Sequence, residues 1–379
     1  MKWNGKHVAG MIIIIVFSVF LACTGNAPVL IGFSGELTGS NADLGVQGRN
    51  GAILAVESVN ESGGINGRPI ELIVRDDGGT PAGAKAADSE LIEANVVAIV
   101  GHMTSGQSMA ALPVTEKAGM LMLSPTTSTS LLTGIDDHFL RVQPAITATA
   151  GKLARIARSK YRMRQVVVIA DQDNLAYSDA FRKAFVDSFE KTGGHLSQNL
   201  FFSSSSHPDF DELMQPISPL NVDGLLIVAS AKDTAFIAQH LRNNGFPCPL
   251  FSSGWAQTDT LIQNGGKAVE GLILVADYDT DSRKPAFEDF RQKYRKRFGR
   301  PPTFAAAQSY EAVNLLVKAL KQTGGNRSGL KEVLLGINDF QGLLGSIKMD
   351  TYGDVIRTQF IVTVKNGHFQ TLSAIENYR

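Results

Sequence analysis

Cysteine is nearly missing from this chain: there are two in 379 residues, Cys23 and Cys248. No disulfide framework is open to it, so its core must come from packed apolar side chains. A surplus of charge is missing too. Lys and Arg together number 36, Asp and Glu 36, for a formal net charge of zero. Nucleic-acid binders need a basic excess to displace counterions from phosphates, which excludes that class of partner. The one basic cluster, 291–300 (RQKYRKRFGR), sets Tyr294 and Phe298 four apart, the spacing of an amphipathic helix with its charges in water. Catalytic signatures are also missing. There is no Gly-x-Ser-x-Gly elbow, no P-loop, no His-Glu-x-x-His and no spaced Cys/His set for a metal. His102 and Ser105 lie close together, yet nothing supplies an acid to complete a triad. An enzyme, a metal and a cofactor are therefore not expected.

Long apolar runs are confined to one place. Lys2 and Lys6 precede a fifteen-residue run over 8–22, which stops at Leu21-Ala22-Cys23. A membrane-spanning helix needs roughly 20 apolar residues, whereas a signal-peptide core has about 7–15. A small residue before cysteine resembles a bacterial lipoprotein box. That resemblance implies cleavage before Cys23, lipidation of its thiol, and export of the rest as a tethered protein. An ordinary secretory signal is the other reading. On the first, Cys248 has no partner and the mature fold has no internal disulfide.

Downstream, short β-branched runs alternate with longer amphipathic stretches. Strands are predicted at 29–33, 70–75, 96–100 and 120–123, with helices over 45–60, 82–94 and 105–118 between them. The rhythm restarts after Arg141-Val142-Gln143-Pro144. Helices over 148–159, 178–191 and 233–243 then alternate with strands at 166–170, 224–228, 250–252 and 271–275. Helices over 287–298 and 305–322 precede a predicted antiparallel pair, 346–349 with 359–364, around Tyr352-Gly353-Asp354. Strands that are apolar throughout, rather than alternating, indicate parallel sheets covered on both faces. The expected fold class is α/β, with two Rossmann-like units and no flexible linker.

Several stretches carry a family resemblance. Ile31-Gly32-Phe33-Ser34-Gly35-Glu36-Leu37-Thr38-Gly39 leads into Gly45-Val46-Gln47-Gly48, and Gly63-Gly64-Ile65-Asn66-Gly67-Arg68-Pro69-Ile70 precedes Arg75-Asp76-Asp77. Val100-Gly101-His102 to Ser105, Met122-Leu123-Ser124-Pro125, Tyr294 to Pro301 and 305–319 follow in order. In that serial order the chain resembles the branched-chain amino-acid-binding family of type I periplasmic binding proteins, which serve ABC importers. The resemblance implies a clamp of two lobes joined by a hinge of three crossovers. Lobe 1 would hold 27–141 plus 278–351, and lobe 2 would hold 142–277 plus 352–379. A small carboxylate-bearing solute, such as a branched-chain or other hydrophobic amino acid, would bind between them, and closure would be read by a permease. The protein would act as a monomer and touch the membrane only through its lipid.

The residues themselves point to the same region. In open α/β sheets, ligands sit beyond the carboxyl ends of strands, beside helix N-termini that attract anions. Loops 101–106 and 124–128 fit, and Thr104, Ser105, Thr126 and Ser128 offer hydroxyls to a carboxylate. Such residues are also ordinary helix caps. The resemblance implies that Ser105, Thr126 and Ser128 contact the ligand's carboxylate and amino groups and that Tyr177 packs on it. Trp255, just past a strand end, can cover a ligand with apolar area, or can be a core residue. Leu44 stands where a tyrosine often lies in the family, and Ala231 stands at another aromatic position. Gly254 stands where amino-acid binders place a glutamate for the ammonium group. A buried ammonium without a carboxylate is costly. Either Asp171, Asp173 or Asp277 takes over, or the ligand is an aromatic or other organic carboxylate with no ammonium. A ligand-sensing regulator on the same clamp is a further alternative.

Overall fold

The computed structural model describes residues 27–217 and 222–375; the apolar leader and Cys23 lie outside them. The first half alternates β1 (Val29–Gly35), α1 (Ala42–Glu61), β2 (Ile70–Asp76), α2 (Pro81–Glu93), β3 (Ile99–Val100), α3 (Ser105–Lys117), β4 (Met122–Ser124) and β5 (Phe139–Arg141). These strands form one parallel sheet in the order β2-β1-β3-β4-β5. The second half continues with α4 (Ile146–Ser159), β6 (Gln165–Asp171), α5 (Leu175–Lys191), β7 (His195–Phe202), α6 (Phe210–Met214), β8 (Gly224–Val228), α7 (Ala231–Asn243), β9 (Leu250–Ser253), α8 (Asp259–Gly265) and β10 (Ile273–Ala276). Then come α9 (Pro285–Phe298), α10 (Phe304–Gln322), α11 (Leu330–Gly336), β11 (Phe340–Gln341), β12 (Ser346–Ile347), β13 (Gln359–Lys365) and β14 (His368–Ile375). The second sheet has seven strands, ordered β14-β13-β10-β9-β8-β6-β7.

The expected apolar strands are the buried centres of these sheets. Val166–Ala170 and every residue of β8 are out of contact with water, as parallel strands covered on both faces must be. Late helices return to the first sheet: Val313 and Leu316 of α10 share a core with Ile31 and Phe33 of β1. There α1 and α10 approach so closely that a Cβ on Gly51 would stand 2.0 Å from the Ala306 carbonyl oxygen. Glycine lets the two backbones meet. The chain thus passes between the sheets after β5, after β10 and before β13, which makes two lobes joined by three crossovers.

One prediction fails at the C-terminus. The pair 346–349 with 359–364 does not form. β12 pairs with β11, and the Tyr352-Gly353-Asp354 turn closes a single bridge, Met349 to Val355. β13 instead covers the edge of the second sheet, antiparallel to β10, and pairs on its other side with β14. Asn366 and Gly367 join β13 to β14 with φ of 54° and 70°. This is the left-handed two-residue turn that suits a hairpin's twist. The predicted strand 96–100 is also trimmed to Ile99–Val100, although Val97 N already donates to Leu30 O at 2.8 Å.

Among the described residues, no helix is long and apolar enough to cross a membrane. Cys248 is a free thiol, half-buried, with burial raising its pKa.

Candidate functional site

A cleft between the lobes holds about 610 Å³ of atom-free space, part of it open to solvent. It is bounded by the C-terminal ends of strands from both sheets, where an open α/β architecture leaves room for a ligand. Leu44, Thr104, Ser105, Thr126, Ser128, Tyr177 and Trp255 all line it, as do Gly254 and Asp277. Ala231 does not; it lies at a neighbouring mouth with Leu44 and Trp255.

The hydroxyls are arranged differently from caps. Thr104 holds the N-cap position of α3 but makes no capping bond, and its Oγ1 is buried without a partner. Ser105 Oγ accepts from Ser128 N (3.4 Å) and Thr129 N (3.2 Å), which ties the two loops together. Its own proton stays available to an oxygen in the cleft. Thr126 Oγ1 donates to Met103 O at 2.6 Å, so its remaining role toward a ligand is as an acceptor. One amide of the α3 N-terminus is already used: Gly106 N donates to Asn174 Oδ1 across the cleft, at 3.2 Å.

The far wall is aromatic. Trp255 and Tyr177 meet edge to face, with ring centroids 5.4 Å apart. Trp255 clusters with Leu44 and Met103 of the first lobe, so it bridges the lobes as well as lining the cleft. Burial pushes the Tyr177 hydroxyl well above the usual phenol range, which keeps it protonated.

The three candidate carboxylates separate clearly. Asp171 is buried, but it faces Ser204, whose Oγ donates to it at 3.0 Å, and it does not line the cleft. Burial, with Asp173 and Asp233 adding to it, raises its pKa to about 6. Asp173 bonds to Ser204 and Ser205 in the same corner. Asp277 alone of the three lines the cleft, and among the described residues lining it no other carries a formal charge. Burial raises its pKa, against the pull of Arg357.

Sequence reasoning passed over several lining residues: Gln143 at the first crossover, Thr149 within α4, Gln257 beyond Trp255, and Phe304 at the start of α10. Gln257 follows Trp255 by two positions, which is the one local cue to it.

Residues 28–368 match the family described as periplasmic binding protein. The chain is a type I periplasmic binding protein. It is 26% identical, over 365 residues covering 93% of this chain and 94% of the relative, to a Pseudomonas aeruginosa protein named amino acid binding protein. Among solved structures, a leucine binding protein from Thermotoga maritima superposes with a TM-score of 0.85 at 26% identity, covering 92% of this chain and 99% of that one. A Rhodopseudomonas palustris solute binding protein of an ABC transporter, in complex with 3,4-dihydroxybenzoic acid, gives 0.84 at 21% identity, covering 93% and 98%. That likeness is one of fold. Members of the family are solute-binding proteins rather than enzymes. This binding protein therefore presents a small molecule to the permease of an ABC transporter, outside the cytoplasm.

Proposed function

We propose that this binding protein captures an amino acid with an apolar side chain for an ABC importer. The observation that carries the reading is the polarity of the cleft. Hydroxyls on Thr104 and Ser105 stand at one strand end, an aromatic wall of Trp255 and Tyr177 faces them, and Asp277 is the single charge among the described residues that line the cleft. A carboxylate is accommodated by hydroxyls and helix-start amides, and a cation by Asp277. An organic acid without an ammonium would meet a carboxylate and no cation there. The relatives named for amino acids favour the same class.

The moving units are the segments 27–141 plus 278–355 and 142–277 plus 358–375, with ligand bridging them; the turn 352–355, expected with the second lobe, bonds to Arg141 of the first. The mature protein is held as a monomer at a bacterial membrane through lipid on Cys23, facing the periplasm or the cell exterior. That anchor has its own test: Cys23→Ser is expected to move the protein from the membrane pellet to the soluble fraction. Retention in the pellet would contradict the anchor.

Ser105→Ala is the test of the cleft. Losing one hydrogen bond to a charged ligand oxygen is expected to weaken leucine binding by about tenfold or more. Isothermal titration reads it, with circular dichroism checking the fold. An unchanged dissociation constant would remove Ser105 from the site.

A further inference from the structure

We propose that Asp277 and Gln257 form the subsite for the ligand's ammonium group, so that the cleft selects zwitterions over plain carboxylates. This rests on the amino-acid reading above and makes it specific.

Two observations converge. Asp277 stands one residue past β10, and it is the one formally charged residue among the described residues of the cleft. Gln308 Nε2 donates to its Oδ2 at 2.9 Å, Arg357 Nε stands 3.9 Å from the same atom, and the Gln143 side-chain amide also donates to this carboxylate. A carboxylate has about four acceptor sites, so Asp277 can take a further donor from the cavity. The charge count favours a cation. Arg357 is already paired with Glu311 at 2.7 Å, and the cluster of one guanidinium and two carboxylates is left with an excess negative charge. Burying such a charge unmatched is costly, and a ligand ammonium offsets it.

Gln257 supplies the second observation. It is 2% exposed, and its Nε2 donates to Tyr278 O, the residue next to Asp277, at 3.1 Å. That bond fixes the amide with its Oε1 buried and without a partner. A buried acceptor left open beside a carboxylate suits a group that only donates, and an ammonium is such a group. Gly254, at the end of the neighbouring β9, leaves this space clear. A Cβ there would stand 3.3 Å from Ala276 Cβ.

The test is titration of the full-length protein with two matched pairs: leucine with 4-methylpentanoate, and phenylalanine with 3-phenylpropanoate. The wild type is expected to bind one of the amino acids much more tightly than its ammonium-free partner. Asp277→Asn keeps the shape and the Gln308 bond, and it is expected to weaken that amino acid by about a hundredfold. The matched acid should stay within about threefold of the wild type or tighten. Gln257→Met is expected to cost the amino acid about tenfold, again sparing the acid. Amino-acid affinity unchanged in a folded Asp277→Asn protein, or an equal loss for both members of a pair, would overturn the subsite while leaving the amino-acid reading intact. A wild type that binds the acids and neither amino acid would overturn the reading itself, and the subsite with it.

Discussion

Glu311→Ala is expected to destabilise the protein by about 3–5 kcal/mol, the cost of leaving a buried charge without its partner. Arg357 is buried, and its guanidinium makes a two-pronged contact with Glu311, at 2.7 and 3.1 Å. The same side chain donates to Val142 O at 3.3 Å and stands 3.9 Å from Asp277. Val142 begins the first crossover, Asp277 the second, and Arg357 lies on the third. One guanidinium therefore pins all three hinge segments. Burial alone would lower the pKa of Arg357, but the Glu311 and Asp277 carboxylates outweigh it and raise it. Glu311 also accepts from Leu343 N at 2.6 Å, which is lost in the variant. Chemical denaturation reads the effect. A loss below about 1 kcal/mol for Glu311→Ala would place the pair among ion pairs that contribute little.

His102→Ala should be comparably severe, by about 3–5 kcal/mol, and it should also change the pH profile. The imidazole is fully buried between two carboxylates, with Nδ1 2.7 Å from Asp77 Oδ2 and Nε2 3.1 Å from Asp88 Oδ1. Burial alone would push its pKa down. Asp88 and Asp77 override that and hold the pKa up at about 10, so the ring is an imidazolium at neutral pH. The folded value lies above the unfolded one. Its stabilisation is thus fully present below about pH 6.5, the unperturbed histidine value, and fades as pH rises toward about 10. Removing the ring strands Asp77 and Asp88 and flattens that slope. His102 also shapes the site, since its carbonyl accepts from Ser124 Oγ at 2.9 Å and its loop delivers Ser105. Melting temperatures from pH 6 to 10 for wild type and variant decide it. Parallel profiles would mean that the imidazolium contributes nothing across that range.

The parts of the fold that were legible in the sequence are those whose burial is complete. β8 runs over 224–228 as expected, and the centre of β6 is the apolar run 166–170, because a central parallel strand must be apolar on both faces. Of the edge strands, β2 was legible but β5 and β7 were not. β5 has only three residues, and β7 (HLSQNLFF) mixes polar and apolar residues because its outer side meets water. The hairpin of β13 and β14 carried a usable local signal, Asn366-Gly367, but the Tyr352-Gly353-Asp354 turn drew the pairing to the wrong strand. At the site, the loops that follow buried strands were readable, and the seven residues singled out from them and from the resemblance share one cleft. Gln143, Thr149 and Gln257 were not. Gln143 lies on the first crossover, Thr149 within α4 and Gln257 between β9 and α8, and only the packing of the two lobes brings these polar residues to one cleft wall. The choice among Asp171, Asp173 and Asp277 likewise depended on which strand end faces the other lobe.

The most direct test of the central claim is a thermal-shift screen of the protein against amino acids and ammonium-free organic acids. A ligand held at about 100 times its dissociation constant stabilises its protein by roughly 2.7 kcal/mol, which a melting curve resolves easily. The account predicts an upward shift with leucine, isoleucine, valine or phenylalanine and none with benzoate, 3,4-dihydroxybenzoate or 4-methylpentanoate at equal concentration. A shift with those acids and none with any amino acid would contradict it.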